Sequence, residues 1–432
     1  MYRTASLPLS LAALLALSVA TPAMAQDDPA PATRGSADSA AETEDSAELD
    51  LVTVTGNVLY SDQINALKTP TPIRDVPQSL TLVTEEQIEL RGFDSLGDII
   101  DYTPGVNTSQ GEGHRDAVVF RGVRSTADFF IDGVRDDVWY YRPLYNLEQV
   151  EILRGPNALL FGRGGAGGVL NRVTKKGVIG DSFTDVRAGI DSFGGYSVWL
   201  DTNVGGNSSA AFRLNAMYEQ LDNHRDFFDG ERIGFNPTGR FLLSDRTTLD
   251  VSYEYIDHER FIDRGIPTGA DGQPVEAFED IVFGDPELNL TTLEAHLFRA
   301  ALQHEFSANF KGNVSAFYGD YDKFYSNFYV SAYDPIATPD QVTLDGYVDT
   351  TDRQNLILSG NLIGQFFTGP MEHTVIVGSE YIETAGPLQR VLEHDHGRQR
   401  DLRRGAPAGP SQRHGHQRLR RTDDERFHRR PE

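Results

Sequence analysis

The sequence predicts an α+β domain followed by an antiparallel transmembrane β-barrel that is incomplete within these 432 residues. Three observations carry the prediction. The stretch from Leu144 to Lys176 joins two extended, β-branched runs across a glycine hinge. Beyond Gly180 the pattern changes to long segments with a period of two. The connections between those segments alternate between long and short by parity.

From the start of the chain, Arg3 precedes an apolar run from Leu7 to Ala20, and Ala23-Met24-Ala25 offers a small-x-small cleavage site. Residues 1–25 therefore read as a secretory signal peptide, the run being too short for a helical span. Residues 26–47 are Ala, Pro, Ser, Asp and Glu with almost nothing to bury, which predicts a disordered tether. Residues 48–56 include DLVTVTG, an acidic residue leading into a short alternating strand.

The next region, 65–178, contains the glycine hinge. Gly162, Gly164 and Gly167 fit GxGxxG, and Asp185 and Asp191 follow at about a dinucleotide-site distance. A dinucleotide turn opens a helix, however, and VLNRVTK carries strand residues without a helical stripe. No Lys-Ser or Lys-Thr follows the glycines, which excludes a Walker-type loop.

From 180 to 385 the segments alternate. Phe212, Leu214, Ala216 and Tyr218 share one face and Arg213, Asn215 and Glu219 the other; Leu249, Val251, Tyr253 and Tyr255 oppose Asp250, Ser252 and Glu254. Similar segments lie near 184–190, 196–204, 233–243, 294–306, 312–325, 352–366 and 373–383, about nine in all. Each is close to the roughly 9–11 residues a tilted strand needs to cross a bilayer. Long connections are expected at 221–232, 259–291 and 326–350, and short ones at 205–208, 244–246, 307–309 and 369–371. Residues 386–432 lose the pattern and fill with Arg, His, Gly and Pro, the texture of a GC-rich gene read out of frame. A metal site from His394, His396, His414 and His416, or a basic nucleic-acid tail, fits poorly with what precedes it.

A net charge of −25 opposes nucleic-acid binding, and the absence of cysteine excludes a disulfide framework and thiolate chemistry. No GxSxG or HExxH occurs, so no enzyme is expected, and the in-frame histidines are scattered.

Several motifs in order, VPQSLTLVT (Val76 to Thr84), LGDIIDYTPGV (Leu96 to Val106), FRGV (Phe120 to Val123), FFIDGV (Phe129 to Val134) and the Leu144–Lys176 stretch, resemble the plug domain of TonB-dependent outer-membrane siderophore receptors. GEGHRD (Gly111 to Asp116) with STADFFIDGVRDD (Ser125 to Asp137) resembles the subgroup that takes up iron bound to catechols. The resemblance implies an α+β plug domain inside a barrel of about 22 strands, of which about nine are present. It implies location in the outer membrane of a Gram-negative bacterium, contact with its lipid, and a ferric siderophore as transported ligand without a covalently bound cofactor. Cobalamin or sugars are the rival cargo, and a non-functional receptor fragment is the rival outcome. Asp50, Leu51, Val52, Thr53, Val54 and Thr55 resemble the TonB box, which pairs edge to edge with TonB and draws on the inner-membrane proton gradient.

A ferric catecholate is anionic and aromatic, so cations beside flat side chains suit it. Arg115, Arg124, Arg135 and Arg142, with Trp139, Tyr140 and Tyr141, are the candidate ligand contacts, and no protein metal ligand is required. Arg121 and Arg154 match family positions that latch the plug to barrel glutamates. An unclosed sheet would leave edge groups unpaired in lipid, so stable insertion of nine strands alone is not expected.

Overall fold

A computed structural model describes residues 78–109, 112–155, 165, 167–206 and 209–386, together with the backbone of 390–401. The signal peptide, the tether and Asp50–Thr55 lie outside the described residues, as do Gly162 and Gly164.

The first part is α+β. β1 (Ser79–Thr84) leads into α1 (Glu85–Arg91), started by Thr84 and stopped by Gly92 in the left-handed region at φ 61°. α2 (Leu96–Asp101) opens on a capping box: Asp98 N–H donates to Ser95 Oγ at 3.2 Å, and Ser95 N–H to Asp98 Oδ2 at 2.9 Å. Three short strands, β2 (Val106–Thr108), β3 (Val118–Phe120) and β4 (Val123–Ser125), form a small antiparallel sheet. β5 (Phe129–Ile131), β6 (Val134–Arg135), β7 (Leu147–Arg154) and β8 (Gly168–Thr174) join β1 in the order β1-β7-β8-β5-β6, with only β5 and β8 parallel. Ile88, Leu96, Ile99, Phe120, Phe129, Val150, Ile152 and Leu170 are buried together beneath these elements.

β8 removes the dinucleotide reading, because the residues after the glycines are strand and not helix. Its first residue shows what the glycines do. A Cβ on Gly168 would stand 2.5 Å from the Phe120 ring and 2.6 Å from the Leu153 carbonyl oxygen, so close packing demands glycine there.

The second part is one antiparallel sheet of nine consecutive strands: β9 (Ser182–Ile190), β10 (Tyr196–Val204), β11 (Ala210–Asp222), β12 (Asp229–Ser244), β13 (Thr247–Phe261), β14 (Leu290–Ser307), β15 (Phe310–Tyr333), β16 (Gln341–Thr368) and β17 (Met371–Ala385). One face meets the α+β part; the other exposes Val251, Phe298, Tyr318, Leu358 and Val377. Turns on one side are tight, at 245–246, 308–309 and 369–370, whereas 262–289 is a long connection on the other.

Two expectations change. The connection placed at 326–350 is confined to 334–340, because Phe328, Tyr329 and Val330 keep the alternation and pair with Gly346, Asp345 and Leu344. The pairing also runs past 385. β18 (Arg390–Asp401) continues along the far half of β16, from Thr350 to Gln341.

Candidate functional site

Two Asx/Arg-Gly hairpins shape the α+β part. In β5–β6, Phe130 faces Arg135 and Ile131 faces Val134, so Asp132-Gly133 is a two-residue turn, with φ 49° and 78° as a type I′ turn requires. Arg121-Gly122 repeats this between β3 and β4, at φ 47° and 87°. Arg121 is therefore a hairpin tip and stands exposed. Arg154 donates to Thr81 Oγ1 at 2.9 Å and to the Pro104 carbonyl, cross-linking its own domain. Among the described residues, neither arginine forms the expected latch with a barrel glutamate.

The contacts across the interface are made by other residues and run both ways. Asn146 Nδ2 donates to Glu254 Oε1 at 2.9 Å and Asn236 Oδ1 at 3.1 Å; Arg353 pairs with Asp137 at 2.7 Å. Lys175 pairs with Asp201 at 2.8 Å. These partners face inward on β10, β12, β13 and β16.

Of the seven candidate ligand contacts, three are structural. Arg142 has no exposed side-chain surface: Nε donates to Asp136 at 3.0 Å, and Nη2 to the carbonyls of Asp136 and Val138 at 2.8 and 2.7 Å. The same Asp136 accepts from Arg172 at 2.7 Å and from the Tyr140 hydroxyl at 2.8 Å. Burial alone would raise the Asp136 pKa, but Arg142 and Arg172 outweigh it and hold the carboxyl below its usual range. Arg135 is buried too, donating to the Ala127 carbonyl at 2.8 Å over the Phe130 ring. The expectation of ligand contact at Tyr140, Arg142 and Arg135 is thus corrected: their side chains are buried and hydrogen-bonded inside the domain. Arg124 is exposed on β4, in a different sheet, and Tyr141 packs under Arg260 at 4.1 Å.

Arg115 and Trp139 do come together, with the guanidinium 4.7 Å from the indole and the ring half-buried. The loop carrying Arg115 turns at Gly113, φ 73°, whose carbonyl accepts from Arg260 Nη2 at 2.8 Å. Glu112 pairs with Arg115 and accepts from the Tyr347 hydroxyl at 2.9 Å, while its carbonyl accepts from the Tyr325 hydroxyl at 2.8 Å. His114 stacks on Tyr325 at 3.9 Å and meets Lys323 Nζ through Nδ1. The ionised Glu112 carboxylate only accepts, so the proton sits on Nε2, 3.5 Å from it, and Nδ1 accepts from Lys323.

Burial, with Lys323 and Arg115 nearby, lowers the His114 pKa to about 4, so it is neutral at pH 7. The hydrogen bond from His114 leads in holding Glu112 well below the carboxylate range, against burial and with help from Arg115. Arg264 adds a further cation, 4.5 Å from the Tyr329 ring and 3.2 Å from the Tyr325 hydroxyl.

The wall residues Arg264, Lys323, Tyr325 and Tyr347 were missing from the sequence reading. Lys323 and Tyr325 hold inward parity on β15, within the segment read as 312–325, and Tyr347 pairs with the inward Asn327; assigning 326–350 to a loop concealed Tyr347 alone. The assembled site offers cations beside flat rings, a chemistry suited to a planar anion.

Residues 72–169 match the sequence model of the family described as TonB-dependent Receptor Plug Domain. The chain carries that plug domain, followed by nine consecutive antiparallel strands, and is similar to TonB-dependent receptors over both parts. Among proteins similar to it are the probable TonB-dependent receptor BfrD of Bordetella pertussis, 33% identical over 51% of this chain and 30% of that protein. The catecholate siderophore receptor Fiu of Escherichia coli K12 is 32% identical over 49% of this chain and 28% of its own. The solved open form of the ferric-catecholate import receptor Fiu superposes with a TM-score of 0.65 at 25% identity, over 73% of this chain and 51% of that one. The chain thus spans about three tenths of these two curated relatives.

Proposed function

We propose that this chain is part of an outer-membrane receptor and transporter for ferric siderophores of the catecholate type, energised through TonB. The observation that carries the proposal is the Arg115–Trp139 pair facing Lys323, Arg264, Tyr325 and Tyr347: cations to neutralise an anionic chelate, beside rings to pack on its catechols. The likeness to receptors named for ferric catecholates supports it. Arg115 and Trp139 are the proposed ligand contacts on the plug, with Lys323 on the wall and Arg264 on the 262–289 connection as their partners in the site. Asp50–Thr55 is the proposed TonB-pairing strand, and the fixed sheet of the plug is the body that TonB would have to remodel.

The test is uptake of radioactive iron presented as a ferric catecholate, by cells whose own catecholate receptors are deleted and which express this protein. Accumulation should require both TonB and residues 50–55. Accumulation that persists without TonB, or that is unaffected by deletion of residues 50–55, would overturn the proposal.

A further inference from the structure

We propose that Arg225, in the 223–228 connection between β11 and β12, is a positioning residue that holds Arg264 in the ligand site, an inference that rests on the catecholate function proposed above. The Arg225 guanidinium reaches across to the 262–289 connection and grips it at two separate places. Nε donates to Asp263 Oδ2 at 2.5 Å, Nη2 donates to the Ile281 carbonyl at 2.9 Å, and Nη1 donates to the Glu279 carbonyl. The ion pair is shielded, its two side chains being 11% and 13% exposed. Every Arg225 nitrogen thus has a partner on the connection, so its part is to position and not to touch the ligand.

Asp263 carries the constraint to its neighbour. Its other carboxylate oxygen accepts from the Gly265 N–H at 2.9 Å, so the carboxylate that Arg225 holds also fixes the backbone on the far side of Arg264. Gly265 turns there at φ 77°, a left-handed conformation that favours glycine. On the near side, the Ile262 N–H donates to the Asn289 carbonyl at 2.9 Å. Asn289 Nδ2 in turn donates to the carbonyls of Ile262 and Phe328 at 2.9 and 3.0 Å, tying the neck of the connection to β15. The second grip stands on β16, because Phe278 and Ile281 pack against the buried cluster of Phe283, Val342 and Leu344. Between these anchors Arg264 lies over the Tyr329 ring at 4.5 Å, with Nη1 3.2 Å from the Tyr325 hydroxyl. A long connection left free would have to be ordered when the ligand arrives, and that entropy would be subtracted from affinity. Arg225 suits the task because a planar fork meets three acceptors in fixed directions, which an ammonium on a flexible stem does not.

A double-mutant cycle tests this, read by titrating the full chain in detergent with the ferric complex of a monomeric catechol. Arg264→Gln and Arg225→Ala should each weaken binding about fivefold, with the β-sheet spectrum unchanged. In the Arg264→Gln background, Arg225→Ala should add less than about twofold, because its effect passes through Arg264. Arg225→Lys should weaken binding as much as Arg225→Ala, since one ammonium cannot span both grips. Backbone hydrogen exchange at 262–289 should quicken in Arg225→Ala and stay unchanged in β13. Full affinity in Arg225→Ala or Arg225→Lys would overturn the inference and leave the catecholate function standing. So would an Arg225→Ala loss that persists undiminished in the Arg264→Gln background, or exchange at 262–289 that does not change. Unchanged affinity in Arg115→Gln and Arg264→Gln alike would overturn both.

Discussion

Arg115 and Arg142 lie in one short stretch of the plug, each beside aromatic rings and each near a carboxylate, yet they are built for different ends. Around Arg142 the account closes: Asp136 binds Arg142, Arg172 and Tyr140, and three carbonyls take the remaining donors. Around Arg115 it does not. Glu112 meets one guanidinium nitrogen, whereas Nε and Nη1 are buried without a partner. The indole beside it is half-buried, and the opposing groups come from the wall. Residue type is the same in both places and both side chains are buried; what separates them is that each Arg142 nitrogen has a partner, whereas two Arg115 nitrogens have none.

The largest effect that would sharpen this contrast is at the hub. Arg142→Ala leaves Asp136 and Asp116 buried beside one fewer cation and should cost about 3–5 kcal/mol, read as a lowered urea midpoint. A change below about 1 kcal/mol would break the comparison. Next comes His114, whose pKa falls from 6.5 to about 4. Because the unfolded chain takes up this proton first, the contribution is complete above about pH 6.5 and is lost as pH drops toward 4. The loss amounts to about 3 kcal/mol. His114→Gln should flatten that part of the stability–pH profile; an unchanged slope would mean that the histidine is not held between Lys323 and Glu112. Gly168→Ala should then cost about 1–3 kcal/mol through overpacking against Leu153 and Phe120. Smallest is Arg121→Gly, which relieves a left-handed residue at the hairpin tip and should stabilise by about 1 kcal/mol, whereas a latch role would make it destabilise.

The barrel strands were legible in the sequence because every second residue faces a different medium: Leu249, Val251, Tyr253 and Tyr255 on one side, Asp250, Ser252 and Glu254 on the other. The plug was legible through its motifs. What the sequence concealed was non-local. FRGV and FIDGV look like unrelated motifs until pairing shows both to be two-residue turns, with Arg121 at the tip of one of them. Nothing around Arg142 announces that Arg172 will share its carboxylate, and Lys323 meets His114 from more than 200 residues away. Conversely, outer parts of β15 and β16 read as loop because polar residues such as Ser326 and Asn327 interrupt them, yet Asn327 Nδ2 is satisfied by the Tyr347 carbonyl at 3.1 Å.

The account rests most directly on Arg115 and Lys323 as the cations that meet the cargo. Titrating the full chain in detergent with the ferric complex of a monomeric catechol, and following quenching of the tryptophan fluorescence, tests that claim. Arg115→Gln and Lys323→Gln should each weaken binding about tenfold, equivalent to about 1.4 kcal/mol apiece, while Arg124→Gln leaves it unchanged. Equal affinity in the Arg115→Gln, Lys323→Gln double variant and the unaltered protein would contradict the account.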